Sequence, residues 1–256
     1  MAMTDQQKAL GGRLAEYARL GAAHHSLYPC KHDPDLHFRT LPCLLDRRDL
    51  EVVDLTVPYG ENREKSIEMV RASGKMIVYN GYLMPTPIIP LCTTSPTERE
   101  QILMVARDQV DVATRAGACC FMQSVGADPG EARRQQAFEG LGEYIRRLNE
   151  HIKEKSGMAF LIELMDRNVH KKSLCGPTRE VVDFVERLRE GIPDIGLVLD
   201  INHLVLMEES FSEAFERCAP FLKHIHLGNC ISKDRGNPMW GGVHPPLGIE
   251  GGEIGR

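Results

Sequence analysis

The chain has 256 residues, 42% of them hydrophobic and 26% charged, with a formal net charge of -5. That length and apolar share suit a soluble α/β protein with a large core, and the whole span 1–256 is read as a single domain. The acidic balance gives no basic footprint for a nucleic-acid backbone, and no apolar run approaches the roughly 20 residues that cross a bilayer.

The opening MAMTDQQKALGGRLAEYARLG has no basic segment followed by an apolar core, so it does not read as a signal peptide and a cytoplasmic location is expected. Eight cysteines, Cys30, Cys43, Cys92, Cys119, Cys120, Cys175, Cys218 and Cys230, are scattered without a Cys-x-x-Cys pair. They read as reduced thiols, several of them in the core, and not as a disulfide framework or a zinc cluster.

Along the chain, apolar strand patterns alternate with helix patterns. Strands are predicted from GAAHHSLYP (21–29), EVVDLTV (51–57), KMIVYNGYL (75–83), ACCFMQSV (118–125), AFLIEL (159–164), IGLVLDI (195–201) and HIHLGN (224–229). Helix-like spacing covers 62–73, 96–116, 129–156, 177–190 and 209–219, several of these opened by Pro or Ser and closed near Gly. Repetition of this unit implies a parallel sheet with right-handed crossovers. From Gly236 to Arg256 Gly and Pro interrupt every period, so the tail reads as loop and nothing after His226 resembles a strand.

The chemistry concentrates at three strand ends. Glu163 in AFLIEL, Asp200 in IGLVLDI and His226 in HIHLGN each close a short apolar run with a side chain able to ligate a metal. In a parallel barrel such ends converge at the C-terminal mouth. Two carboxylates and a neutral imidazole bring a charge that matches one divalent cation, and an oxygen-rich set with one nitrogen suits manganese, magnesium, cobalt or zinc. The bland alternative is that the carboxylates cap or salt-bridge at the rim while the histidine packs.

His203, three residues after Asp200, is placed to touch a substrate. His224 and His226 are read as facing opposite sides of the last strand, with His226 inward and His224 toward a helix. Lys233, Arg235 and His244, in the loop after that strand, are candidates for holding a hydroxyl, carboxylate or phosphate, with Trp240 beside them. The His24-His25 pair and Asn80 are weaker candidates.

LIELMD, LVLDINH, HIHLGN and the Gly-rich HPPLGIEGGEIG together resemble the sugar phosphate isomerase and epimerase superfamily with the xylose isomerase-like TIM barrel, which also holds family 2 AP endonucleases of the endonuclease IV type. The resemblance runs from about Leu20 onward and is specific from Phe160. It implies a (β/α)8 barrel in which Glu163, Asp200 and His226 hold one divalent metal ion and His203 binds a small carbohydrate substrate. It further implies a glutamate on an eighth strand as fourth ligand and second acid/base. The sequence stops before such a strand, so the barrel is expected to lack its eighth strand and last helices. Homo-oligomers are common among the relatives and one is expected here.

The implied reaction is isomerisation or epimerisation of a sugar through a metal-bound enediolate, with Glu163 as the first base. A lyase reading, decarboxylation of a keto sugar acid or elimination, uses the same groups, with Lys233 or Arg235 on a carboxylate. A non-catalytic, partner-dependent barrel subunit is the reading from another class. The endonuclease reading needs further histidines where the second and third strands instead end in Asp54-Leu55-Thr56 and Asn80-Gly81, and no nucleic-acid partner is expected.

Overall fold

The computed structural model describes residues 16–81 and 90–255. They fall into two compact units, one running to Asn80 with Arg115–Cys119 added, the other taking Gly81–Thr114 and Cys120 onward.

In the first unit, strands β1 (Gly21–Ala23), β2 (Val52–Leu55) and β3 (Met76–Asn80) pair in parallel in chain order, with Ala22 opposite Val53 and Val53 opposite Ile77. Every residue of β2 is buried, the pattern of a parallel strand covered on both faces. The first strand is shorter than its predicted span. It stops at Ala23 and the chain turns at once into α1 (His24–Leu27), so His24 and His25 are helical. The second helix, α2 (Pro34–Leu45), has no counterpart in the sequence reading. It opens in a conventional way: Asp33 accepts a hydrogen bond from the Leu36 N–H at 2.8 Å and Pro34 occupies the first turn, where its missing N–H costs nothing. Its inner face carries His37, Leu41, Leu44 and Leu45, while α3 (Arg63–Ala72) buries Ser66, Ile67 and Val70. Burial, and secondarily the neighbouring His25, pushes the His24 imidazole down to about 4. Burial next to His24 pushes His37 down to about 3.

The second unit contains α4 (Pro96–Ala116) as far as Thr114, β4 (Cys120–Gln123), α5 (Glu131–Lys155), β5 (Ala159–Leu164), α6 (Thr178–Arg189), β6 (Gly196–Asp200), α7 (Ile201–Leu206), α8 (Phe211–Cys218) and β7 (Leu222–His226). Its four strands also pair in parallel and in chain order, with Phe121 opposite Phe160 and Ile162 opposite Leu197. Phe160, Leu161, Ile162, Leu197, Val198 and Leu199 are fully buried, each worth about 1.5–3 kcal/mol over an exposed position. The long helix α5 turns Leu141, Tyr144, Ile145, Leu148 and Ile152 inward at helical spacing. The Tyr144 hydroxyl donates to Gln123 Oε1 at 2.9 Å, and Gln123 Nε2 donates to the Gly81 carbonyl at 2.9 Å, which satisfies a polar chain inside an apolar layer.

The pairing of β6 with β7 is irregular at one point. Leu197 lies opposite Leu222, but Val198 lies opposite His224, so Lys223 is an extra, bulged residue. A side chain at Gly196 would have its Cβ 2.4 Å from Lys223 Cγ and 2.8 Å from Leu161 Cδ2, so the bulge fits because this position is glycine. Beyond β7 the described residues form no further strand, as expected, but they are tied down. The buried Asn229 accepts from the N–H groups of Cys230 and Ile254, both at 2.9 Å, and donates to the Pro246 carbonyl at 2.9 Å.

Candidate active site

Strand register explains why three polar side chains meet in the second unit. Glu163 on β5 lies opposite Val198 on β6, and Asp200, two residues on, lies opposite His226 on β7. Residues two apart share a face of a strand, so Glu163, Asp200 and His226 all project to the same side. One ligating atom from each lies within 4.8 Å of the others. His226 Nδ1 is 3.0 Å from Glu163 Oε1 and 3.9 Å from Asp200 Oδ2.

The same period corrects the reading of His224. It also lies two residues from His226, and the two rings stand on one side of β7 with centroids 5.0 Å apart.

Asp200 has two tasks. Its Oδ1 caps α7 by accepting from the Asn202 N–H at 3.1 Å. Its Oδ2 is buried and accepts no hydrogen bond, although His244 Nε2 is 3.4 Å away. A buried carboxylate oxygen without a donor is costly, and a cation beside it removes the cost. Burial alone would raise the Glu163 carboxyl, but the hydrogen bond from His226 and the charges of His226, His203 and His244 hold it below the usual range. His244 is moved down, mainly by burial, against the opposing pull of Asp200.

His203 sits in α7 at the rim of this group. Its Nδ1 is 3.0 Å from Asp166 Oδ2, while its Nε2 is buried without a hydrogen-bond partner. Asp166 is itself held by backbone N–H groups of Val169, at 3.2 Å, and Lys171, at 3.1 Å, and by that of His170. Burial works against its ionisation, but the hydrogen bonds from His203, His170 and Lys171 prevail and bring its carboxyl down to about 2. Neither Asp166 nor Asn202, whose Nδ2 lies 3.2 Å from His244 Nε2, was assigned a role from sequence. Both stand inside the motifs LIELMD and LVLDINH. That position was the only available signal.

The loop after β7 reaches the group through His244, which adopts a left-handed φ of 59°. Two glycines let it approach. A Cβ at Gly228 would stand 2.7 Å from both Asn202 Nδ2 and His244 Nδ1, and one at Gly242 would stand 2.8 Å from Asn202 Oδ1 and 2.9 Å from His203 Cε1. Of the residues predicted to bind substrate, His203 and His244 are gathered here. The structure places Lys233 in an exposed pair with Glu253 at 3.1 Å, and Arg235 over the Trp240 ring at 5.8 Å.

The family model of the xylose isomerase-like TIM barrel matches residues 14–248. The chain belongs to that family. Its parallel strands with intervening helices are those of the xylose isomerase-like barrel. D-psicose 3-epimerase of Ruminiclostridium cellulolyticum is 29% identical over 91 residues, a stretch that spans 35% of this chain and 30% of that enzyme. Three solved structures are similar in fold. D-psicose 3-epimerase with D-tagatose from Clostridium cellulolyticum H10 has a TM-score of 0.68 at 16% identity, with 86% of this chain and 76% of the other covered. A D-tagatose 3-epimerase-like protein has 0.70 at 13% identity, covering 93% and 82%. The family 2 AP endonuclease from Brucella melitensis has 0.62 at 17% identity, covering 81% and 78%. Among the described residues no helix is long and apolar enough to cross a membrane.

Proposed function

We propose that this member of the xylose isomerase-like barrel family is a divalent-metal-dependent epimerase of a small ketose. The observation that carries the proposal is the convergence of Glu163, Asp200 and His226 around a buried Asp200 Oδ2 that has no hydrogen-bond donor. Likeness to D-psicose and D-tagatose 3-epimerases supports the choice of ketose as substrate class.

The donor set fits a cation such as manganese, magnesium, cobalt or zinc, held by Glu163, Asp200 and His226. Such an ion supplies Lewis-acid polarisation of the substrate carbonyl. The protein's own groups do the rest. Glu163, ionised below the usual carboxylate range, accepts the proton from the carbon next to that carbonyl. His203 is fixed by Asp166, and in the neutral ring the Nδ1–H donated to that carboxylate leaves Nε2 to accept from a sugar hydroxyl. His244 and Asn202, 3.2 Å apart, stand beside this group.

The test is solvent exchange. The purified chain is incubated with ketohexoses and ketopentoses in deuterated water with each of the four cations, and NMR follows deuterium at the carbon beside the carbonyl together with formation of the epimer. Exchange that depends on the cation and is lost in Glu163→Gln is expected. A folded, cation-loaded protein that exchanges no ketose would overturn the proposal, and release of carbon dioxide from keto sugar acids would replace it with the lyase reading.

A further inference from the structure

The first unit holds a second group of ligating side chains, built from different elements and different chemistry. His24 from α1, Cys30 from the following turn and His37 from α2 each place one donor atom within 4.8 Å of the other two. All three are buried, with exposures of 1%, 2% and 2%. We infer that His24, Cys30 and His37 form a metal site for a thiolate-preferring ion, zinc in the first instance, separate from the carboxylate-rich group around Asp200.

Hydrogen bonding fixes the tautomer that such a site needs. The Thr40 hydroxyl has one proton and gives it to the Leu36 carbonyl at 2.7 Å. It can then only accept from His24 Nε2, which lies 2.8 Å away. The proton of His24 therefore sits on Nε2, and the lone pair on Nδ1 faces Cys30 Sγ at 3.7 Å. An imidazole that donates its outer N–H to an oxygen while the other nitrogen faces inward is the arrangement that orients metal-bound histidines. The spacing agrees: a nitrogen and a sulfur on one tetrahedral zinc, at about 2.0 and 2.3 Å, stand roughly 3.6 Å apart.

His37 supplies an independent observation. Its Nε2 is buried with no hydrogen-bond partner, and its ring lies 4.8 Å from that of His24, nearly edge-on. An orphaned imidazole nitrogen beside a buried thiol is costly unless something accepts its lone pair or proton. An ion shared by the three donors satisfies it. Binding converts the Cys30 thiol to a thiolate with one sulfur–metal bond formed, and the displaced proton goes to solvent, so each ion taken up releases one proton. Three protein donors leave a fourth position for water or a small ligand.

Cobalt is the probe, because thiolate coordination gives a near-ultraviolet charge-transfer absorption that a site of carboxylates and imidazole does not. The reduced, metal-free full chain is titrated with Co²⁺. The expected result is a charge-transfer band that survives Asp200→Asn, so the outcome is independent of the proposed epimerase site, and that in this variant saturates at one ion per chain with one proton released. The band should vanish in Cys30→Ser and its midpoint should move at least tenfold higher in His37→Gln. If Cys30→Ser does not fold, His37→Gln decides, since it keeps the thiol. No band in the folded wild type, a band retained in Cys30→Ser, or an unmoved midpoint in His37→Gln would each overturn the inference.

Discussion

Asp166 Oδ2 lies 3.0 Å from His203 Nδ1, both side chains fully buried, and the same carboxylate accepts backbone N–H groups from the turn that follows it. The aspartate thus holds the ring and the turn in one arrangement. Replacing it by asparagine keeps the volume but offers the ring a weaker acceptor. Asp166→Asn should raise KM about tenfold, near 1.4 kcal/mol, with a smaller change in kcat, as expected of a group that positions a substrate-binding side chain. Steady-state kinetics on the ketose identified by exchange would check this, and an equal fall in kcat would place His203 in the chemistry instead.

The depressed Asp166 carboxyl also predicts an acid limit. Its folded value of about 2 lies below the unfolded value of about 3.9, so the folded state gains from ionisation. The gain, about 2–3 kcal/mol, is complete above the unfolded value and is lost as the pH falls from about 4 through about 2. Urea melts of wild type and Asp166→Asn should differ most above pH 5 and converge toward pH 2.

Glu163→Gln keeps size and burial while removing the proposed base. Proton exchange should fall by about 10²–10⁴-fold, with the native fold retained by circular dichroism. Turnover at the wild-type rate would remove Glu163 from the base role.

Asp200 predicts a metal-linked stability change. Manganese or magnesium, which favour oxygen donors, should raise the melting point of the wild type, by the equivalent of about 2.7 kcal/mol at 100 times Kd. Asp200→Asn keeps the cap on Asn202 N through its carbonyl oxygen and should melt near the metal-free wild type, with no response to either ion. Calorimetry with and without chelator separates the two.

Gly228 and Gly242 test the packing around His244. Alanine at either position forces Asn202, His203 or His244 to move, because the added Cβ would sit within 3 Å of them. Each variant should lose substrate affinity while the melting point falls by less than a core truncation would cause, about 2–5 kcal/mol. Paired melts and KM values measure both effects.

The convergence of Glu163, Asp200 and His226 was legible because each interrupts an apolar strand pattern at its end, where only function or capping tolerates a polar group. Other parts were hidden for identifiable reasons. Helix α2 seats the polar His37 on its buried face and contains Pro42, so a breaker stands inside the pattern and only Leu41, Leu44 and Leu45 mark its apolar stripe. β1 ends after three residues because the backbone turns at His24, and nothing in GAAHH marks that turn. His224 was turned to the wrong side, since a spacing of two places both rings on one face. Asp166 gave no periodic signal, because its role depends on a loop folding back over His203.

The bulge at Lys223 shows that the site depends on residue count as well as residue identity. With Lys223 looped out, His226 lies across from Asp200; were Lys223 paired in the ladder instead, the rung opposite Asp200 would be occupied by Ile225, and the imidazole would be carried to the other side of the sheet. Flattening the bulge at unchanged length would therefore exchange an ionisable neighbour for an aliphatic one while leaving Glu163, Asp200 and His226 all present in the chain, whereas removing Lys223 itself would keep His226 on the rung opposite Asp200. The strand therefore tolerates loss of its one extra residue better than a gain, because an inserted residue between Phe221 and His226 would need a second bulge to keep His226 opposite Asp200.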